Sequence, residues 1–149
     1  PTRWLKTLKD PVQAKEIYNL IKQTELYDPT TSMYQTSVSL EGESHEIGRM
    51  RAFTPGWLER ESNFLHMSYK YLLELLKGGL YEEFYGELKT SLVPFMDPAV
   101  YGRSTLENSS FIATGGNPDP NNHGRGFVAR LSGSTAEFLS MWRTMMAGS

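Results

Sequence analysis

The 149-residue chain contains no cysteine and only three histidines, His45, His66 and His123. Without cysteine, neither a disulfide framework nor a thiolate metal site can form. The histidines are too widely separated in the sequence to suggest a cluster. The sequence therefore predicts no metal site and no cofactor.

Long apolar runs and an excess of charge of one sign are also absent. Charges interrupt the apolar segments before they reach the ~18 residues that a membrane span needs, and no basic-then-apolar signal peptide opens the chain. The formal net charge is −2, which argues against a general nucleic-acid or anionic-membrane surface. We expect a soluble, cytoplasmic protein that binds neither nucleic acid nor membrane.

Apolar residues at helical spacing are the main structural pattern in the sequence. Asp10 and Pro11 form a typical helix start, and Gly78 is a typical helix stop. The alternation in "MYQTSVSL" predicts one short strand at residues 33–40. Residues 96–130 are too rich in glycine and proline for a long helix, which favours a functional loop. The predicted helices span residues 10–25, 62–77, 80–94 and 134–146.

The stretch "RLSGSTAEFLSMW" allows two readings of the last helix start. Ser134 and Glu137 fit a capping box, which is a purely structural role. Exposed N–H groups at a helix start, preceded here by Ser132 and Gly133, also suit an anion, although Glu137 would compete with it. His66 is similarly open, either as an anion donor or as a partly buried histidine with one hydrogen bond.

Two segments carry a family resemblance, "RAFTPGWLERESNFLH" and "LENSSFIATGGNPDPNNHGRGFVARLSGSTAEFLSMW". The pattern is a Phe-x-Pro-Gly turn at residues 53–56, then Glu59, then His66, followed by the His123-Gly124 pair and a hydroxyl-Gly-hydroxyl turn. Residues 33–146 resemble the C-terminal part of the catalytic domain of cellobiose phosphorylases. These enzymes form glycoside hydrolase family 94, which has neighbouring β-glucan phosphorylase families.

The resemblance implies two sets of site residues. The phosphate-binding set is His66, Ser132 and Gly133. The substrate-binding set is Glu59, Glu107 and His123. The family's general acid is an aspartate upstream of the matched region, so we assign no catalytic residue to this chain. Its aspartates Asp10, Asp28, Asp97 and Asp119 each lie beside a proline in a turn context.

The sequence departs from the cellobiose type around Glu59. That type has lysine before the glutamate, then asparagine and two glycines after it. This chain has Leu58, Arg60, Glu61 and Ser62 instead. These positions border the acceptor-sugar subsite in the family, so a phosphorylase of longer or differently linked β-glucans fits equally well.

The resemblance implies a mainly α fold, a fragment of an (α/α)6 toroid with long active-site loops and a short β element. Residues 1–149 would form a partial catalytic domain of a longer chain. The implied activity is inverting phosphorolysis of a β-glucosidic bond to α-glucose 1-phosphate. Its partners would be a β-linked gluco-oligosaccharide and phosphate, with homo-oligomer formation left open. We expect this fragment alone to be inactive.

Two alternatives remain. The first is a non-catalytic carbohydrate-binding helical module. In this module, as in the phosphorylase, sugars could stack on Trp57, Tyr101 and Phe111. An (α/α)6 glycoside hydrolase would need a second carboxylate, poised over water, near His66 and Ser132.

Overall fold

The computed structural model describes residues 1–128 and 132–148, with the backbone alone for Ser132. The protein is mainly helical, as predicted, and contains small antiparallel sheets. The (α/α)6 toroid stays a prediction. The helices in the described residues are α1 (Thr2–Thr7), α2 (Pro11–Lys22), α3 (Leu65–Lys77), α4 (Tyr81–Ser91), α5 (Pro98–Tyr101) and α6 (Ser132–Ala147).

In the described part of the chain, the strands are two residues long and form two antiparallel sheets. The first sheet pairs β1 with β2, and the second has the order β3-β4-β5. Within residues 1–128 and 132–148, no helix combines the length and apolar character needed to cross a membrane. The strands are β1 (Tyr27–Asp28), β2 (Met33–Tyr34), β3 (Asn63–Phe64), β4 (Phe111–Ile112) and β5 (Gly126–Phe127).

Helix α3 lies at the centre of the core. Its residues Leu65, Tyr69, Leu72 and Leu75 recur at helical spacing, and all four side chains are fully buried. Helices α1, α4 and α6 pack against α3. Burying one large apolar side chain contributes about 1.5–3 kcal/mol. The core therefore fixes the position of His66, the second residue of α3.

The helix predicted at residues 10–25 is confirmed at its start. Asp10 Oδ1 accepts a hydrogen bond from the Val12 N–H at 2.9 Å, and Pro11 occupies the first helical position. The helix ends at Lys22, earlier than predicted. The Thr24 hydroxyl donates to the Ile21 carbonyl at 2.7 Å, which satisfies one of the carbonyls that a helix end leaves unpaired.

The strand predicted at residues 33–40 is wrong beyond Tyr34. Only β2 pairs with another strand, β1. The Gln35 N–H still donates to the Leu26 carbonyl, beside β1, at 2.7 Å. Beyond it, the Thr36 N–H donates to the Ser62 carbonyl at 2.8 Å and the Leu40 N–H donates to Glu61 Oε1 at 3.0 Å. From Thr36 onward, the alternating segment therefore makes single contacts with a neighbouring loop instead of pairing with a strand.

The helix predicted from residue 62 begins at Leu65, because β3 precedes it. Phe64 pairs with Phe111 of β4, and the Leu65 N–H donates to the Ser110 carbonyl at 3.0 Å. The segment 96–128 holds no long helix, as predicted, but it contributes α5, β4 and β5. This sheet joins the segment to the start of α3, directly beside His66.

Candidate functional site

His66 and Gly133 come together although they are far apart in the sequence. Gly133 lies at the start of α6, which packs on α3. A Cβ atom built on Gly133 would lie 2.8 Å from His66 Nδ1 and 2.9 Å from Cγ and Cε1. No side chain fits there unless the imidazole moves, so the structure places the Gly133 backbone directly against the His66 ring.

The start of α6 differs from the prediction. The helix begins at Ser132, so the expected cap residue Ser134 lies inside the first turn, where it is buried. The capping box at Ser134 and Glu137 is therefore wrong. The side chain of Ser132, predicted to bind phosphate, lies outside the described residues.

Glu137 lies in the second turn of α6 and faces His66. Its Oε1 is 3.6 Å from His66 Nε2, which is within ion-pair range but longer than a hydrogen bond. Both side chains are partly exposed, 29% for His66 and 19% for Glu137. The site thus contains a carboxylate that the family resemblance did not include.

Glu59, predicted to bind substrate, is held by an arginine. Arg49 donates to both carboxylate oxygens of Glu59, from Nε to Oε2 at 3.0 Å and from Nη2 to Oε1. This pairing raises the pKa of the Arg49 guanidinium above its ordinary value. Glu59 also lines a largely apolar cavity of about 300 Å³ together with Phe64 and Met67. Phe64 also packs edge-on against the His66 ring, so the same side chain contacts His66 and lines the cavity.

The other two predicted substrate residues make local contacts. The Glu107 side chain is exposed, and its carbonyl accepts from the Tyr101 hydroxyl at 2.9 Å. His123 Nε2 lies 2.8 Å from the Asn117 carbonyl oxygen. Within residues 1–128 and 132–148, no hydrogen bond or ion pair joins either residue to His66. The structure therefore does not bring Glu107 or His123 into the cluster of His66 and Gly133.

Asn108, which follows Glu107, links this loop to the site. Its Nδ2 donates to Thr135 Oγ1 of α6 at 3.4 Å, and its Oδ1 accepts from the Tyr69 hydroxyl of α3 at 2.9 Å. Sequence reasoning did not identify Asn108, because a single asparagine in a loop carries no recognisable pattern.

A row of aromatic side chains leads away from His66 across the second sheet. Phe64 stacks on Phe111 with ring centroids 4.8 Å apart, and Phe111 pairs in register with Phe127. Trp57 meets Phe127 edge-on at 4.0 Å. All four side chains are half-buried. This aromatic row (Trp57, Phe127, Phe111, Phe64) is a surface of the kind that carbohydrates contact.

Tyr101 cannot stack on a sugar, contrary to the expectation from sequence. Its side chain is 1% exposed, and its hydroxyl accepts from the Ser109 N–H at 2.8 Å. Phe64 and Phe127, which sequence reasoning did not single out, take part in the row instead. The only sequence feature that could have indicated this row is the phenylalanine present in each of the three strands.

Arg60 and Glu61, which depart from the cellobiose type, are buried and structural. Arg60 Nη1 donates to the carbonyls of Arg51 and Phe53 at 3.1 and 3.0 Å, and its Nε donates to Glu61 Oε1 at 3.3 Å. Glu61 Oε1 also accepts from the Leu40 N–H. These contacts fix the loop that carries Glu59.

The proline-flanked aspartates have local structural contacts. Asp10, Asp97 and Asp119 each accept a backbone hydrogen bond at the start of a helical turn. Asp28 accepts from the N–H groups of Thr30 and Gly115. In the described part of the chain, no group of three or more histidine or carboxylate side chains is arranged to hold a metal ion.

Comparison with known proteins returns no matching family model and no matching curated protein.

Proposed function

We propose that this chain is part of an inverting glycoside phosphorylase built on an (α/α)6 toroid. The enzyme would cleave a β-glucosidic bond with inorganic phosphate and release α-glucose 1-phosphate. The chain would contribute the phosphate site and part of the acceptor-sugar surface. The general acid, an aspartate, would come from a part of the enzyme outside these 149 residues.

The contact between His66 and Gly133 carries this proposal. The first N–H groups of a helix have no partner inside the helix, and the helix dipole is positive at that end. Both properties favour a bound anion. An imidazole packed against the same backbone adds one further donor. His66 and the start of α6 together suit a phosphate better than either feature alone.

The chemistry explains why such a site suits phosphorolysis. An inverting hydrolase uses one carboxylic acid to protonate the leaving oxygen and one carboxylate to deprotonate water. Phosphate is already anionic and needs no strong base. One phosphate oxygen attacks the anomeric carbon from the α face, the C–O bond to the leaving sugar breaks, and the general acid protonates that oxygen.

The backbone beside Glu59 supports the family resemblance independently of the His66 contact. The cellobiose type has glycine where this chain has Glu61, and Glu61 adopts a φ of 54°. That left-handed conformation favours glycine. The loop thus keeps a glycine-like backbone, and the buried contacts of the Glu61 side chain offset the strain.

The acceptor sugar would lie along the aromatic row and the Glu59 cavity. Phenylalanine and tryptophan side chains contact the apolar faces of pyranose rings, and a carboxylate accepts from sugar hydroxyls. Because Phe64 borders both His66 and the cavity, the phosphate and the acceptor would meet at this residue.

One observation favours a second candidate, an (α/α)6 glycoside hydrolase. Glu137 lies where such an enzyme would need its base, 3.6 Å from His66. Replacing Glu137 with Gln would abolish hydrolysis if Glu137 deprotonates water, whereas phosphorolysis would continue. A carbohydrate-binding module, the third candidate, would bind sugar with no dependence on phosphate.

The test of the phosphate role is His66→Ala in the full-length enzyme. A charge-assisted hydrogen bond contributes about 1.5–3 kcal/mol, so we expect the phosphate KM to rise on the order of ten- to a hundredfold. The sugar KM should change little. His45→Ala is the matched control, because His45 is exposed. An unchanged phosphate KM combined with a lower Tm would show that His66 serves only the fold.

A further inference from the structure

The two nitrogens of His66 have different surroundings. The backbone of Gly133 lies over one face of the ring on its Nδ1 side, since a Cβ there would be 2.8 Å from Nδ1 and 2.9 Å from Cγ and Cε1. Nε2 instead faces Glu137 Oε1 at 3.6 Å. An anion that accepts a hydrogen bond from Nε2 would therefore share this side of the ring with the Glu137 carboxylate.

The Glu137 carboxylate is less firmly held than the other carboxylates near this surface. Arg49 binds both oxygens of Glu59, and Glu61 accepts from a backbone N–H and from Arg60. In the part of the chain that the structure describes, Glu137 faces His66 at a distance too long for a hydrogen bond. A change of rotamer would take it away from Nε2 without breaking a short contact.

We propose that Glu137 is a specificity-determining residue that competes with inorganic phosphate for His66. Phosphate binds when the Glu137 carboxylate moves away from Nε2, and Glu137 lowers the affinity of the site for doubly charged anions. This inference rests on the proposed phosphate site. Like charges a few ångströms apart repel, so a carboxylate beside an anion site lowers the affinity of that site for phosphate.

The test is a titration of the 149-residue chain with inorganic phosphate at constant pH and ionic strength. NMR follows the His66 imidazole resonances and the Gly133 amide resonance, which every variant retains. Glu137→Gln keeps the size of the side chain and removes its charge. We expect this variant to bind phosphate about tenfold more tightly than the wild type, a modest factor because both groups are partly exposed and screened. Glu82→Gln is the control, since Glu82 is exposed on α4 and its replacement should leave the Kd unchanged.

Each other outcome overturns the inference. An unchanged Kd with a lower Tm would mean that the Glu137 and His66 pair only connects α3 with α6. Weaker phosphate binding would mean that Glu137 orients the imidazole. If phosphate shifts the Gly133 amide resonance in the wild type and not in His66→Ala, the proposed phosphate site stands even when Glu137→Gln has no effect. If no protein in the series responds, both proposals fail.

Discussion

Replacing Gly133 with alanine tests the contact that carries the proposed function. The added methyl group would lie 2.8–2.9 Å from three atoms of the His66 ring. Overpacking of this kind costs about 1–3 kcal/mol, while alanine in a helix gains at most about 1 kcal/mol over glycine. We therefore expect Gly133→Ala to be neutral or to destabilise the protein by up to about 2 kcal/mol, and to displace the imidazole.

Gly86→Ala is the matched control. Gly86 also lies within a helix, α4, but a Cβ there would meet no atom within 4 Å. Its replacement should raise the free energy of unfolding by about 0.5–1 kcal/mol. The assay is urea denaturation of both variants, together with the NMR shifts of His66. The two variants should differ by about 1–3 kcal/mol, and the His66 resonances should move only in Gly133→Ala.

The reasoning is refuted if Gly133→Ala gains as much stability as Gly86→Ala and leaves the His66 resonances in place. Such a result would mean that the imidazole does not rest on the α6 backbone.

Further predictions concern stability and the isolated chain. Glu87→Ala removes the carboxylate that accepts from the Tyr18 and Tyr34 hydroxyls at 2.6 and 3.0 Å, so urea denaturation should show a loss of about 2–4 kcal/mol, against less than about 0.5 kcal/mol for Glu82→Ala. Burial raises the pKa of Tyr34, so the folded state keeps this proton longer than the unfolded chain does. The stability that the protonated Tyr34 hydroxyl contributes is complete below about pH 10 and is lost as the pH rises above it. Tyr34→Phe should therefore reduce the decline of the unfolding free energy with alkaline pH by about 1.4 kcal/mol per pH unit. The isolated chain should form no glucose 1-phosphate from cellobiose or laminaribiose, and detectable product would contradict our account. The isolated chain should also self-associate, because several of its large apolar side chains are exposed: Trp4, Leu20, Tyr81, Trp142 and Met146. A strictly monomeric sedimentation profile at high concentration would count against this prediction.

The sequence predicts the helices well because their signals are local. Capping by Asp10 and the apolar spacing of α3 act within one or two turns. The errors occur where a distant segment decides the structure. Residues 63 and 64 continue a helical pattern in the sequence, but in the structure they pair with strand β4. Helix α6 begins two residues before the predicted start, because a capping box is only one of several ways to begin a helix.

Two of the six predicted site residues, His66 and Gly133, lie together in the structure, and their role in phosphate binding stays a prediction. The contact between His66 and Gly133 follows the family resemblance, and no periodicity in the sequence could have revealed it. The approach of Glu137 to His66 depends on the packing of α6 against α3, whereas the capping-box pattern in the sequence predicts only a local role for Glu137. Arg60 and Glu61 are differences from the cellobiose type at positions that border the acceptor-sugar subsite in the family, and their buried contacts show that they also stabilise the loop of Glu59.

The most direct test of the central claim is the product that the full-length enzyme forms from a β-linked gluco-oligosaccharide with and without inorganic phosphate. We predict that phosphate is consumed in step with glycosidic cleavage and that the released sugar is α-glucose 1-phosphate. Without phosphate, cleavage should stop. Release of free glucose at the same rate in both conditions would contradict the account and would identify the enzyme as a hydrolase.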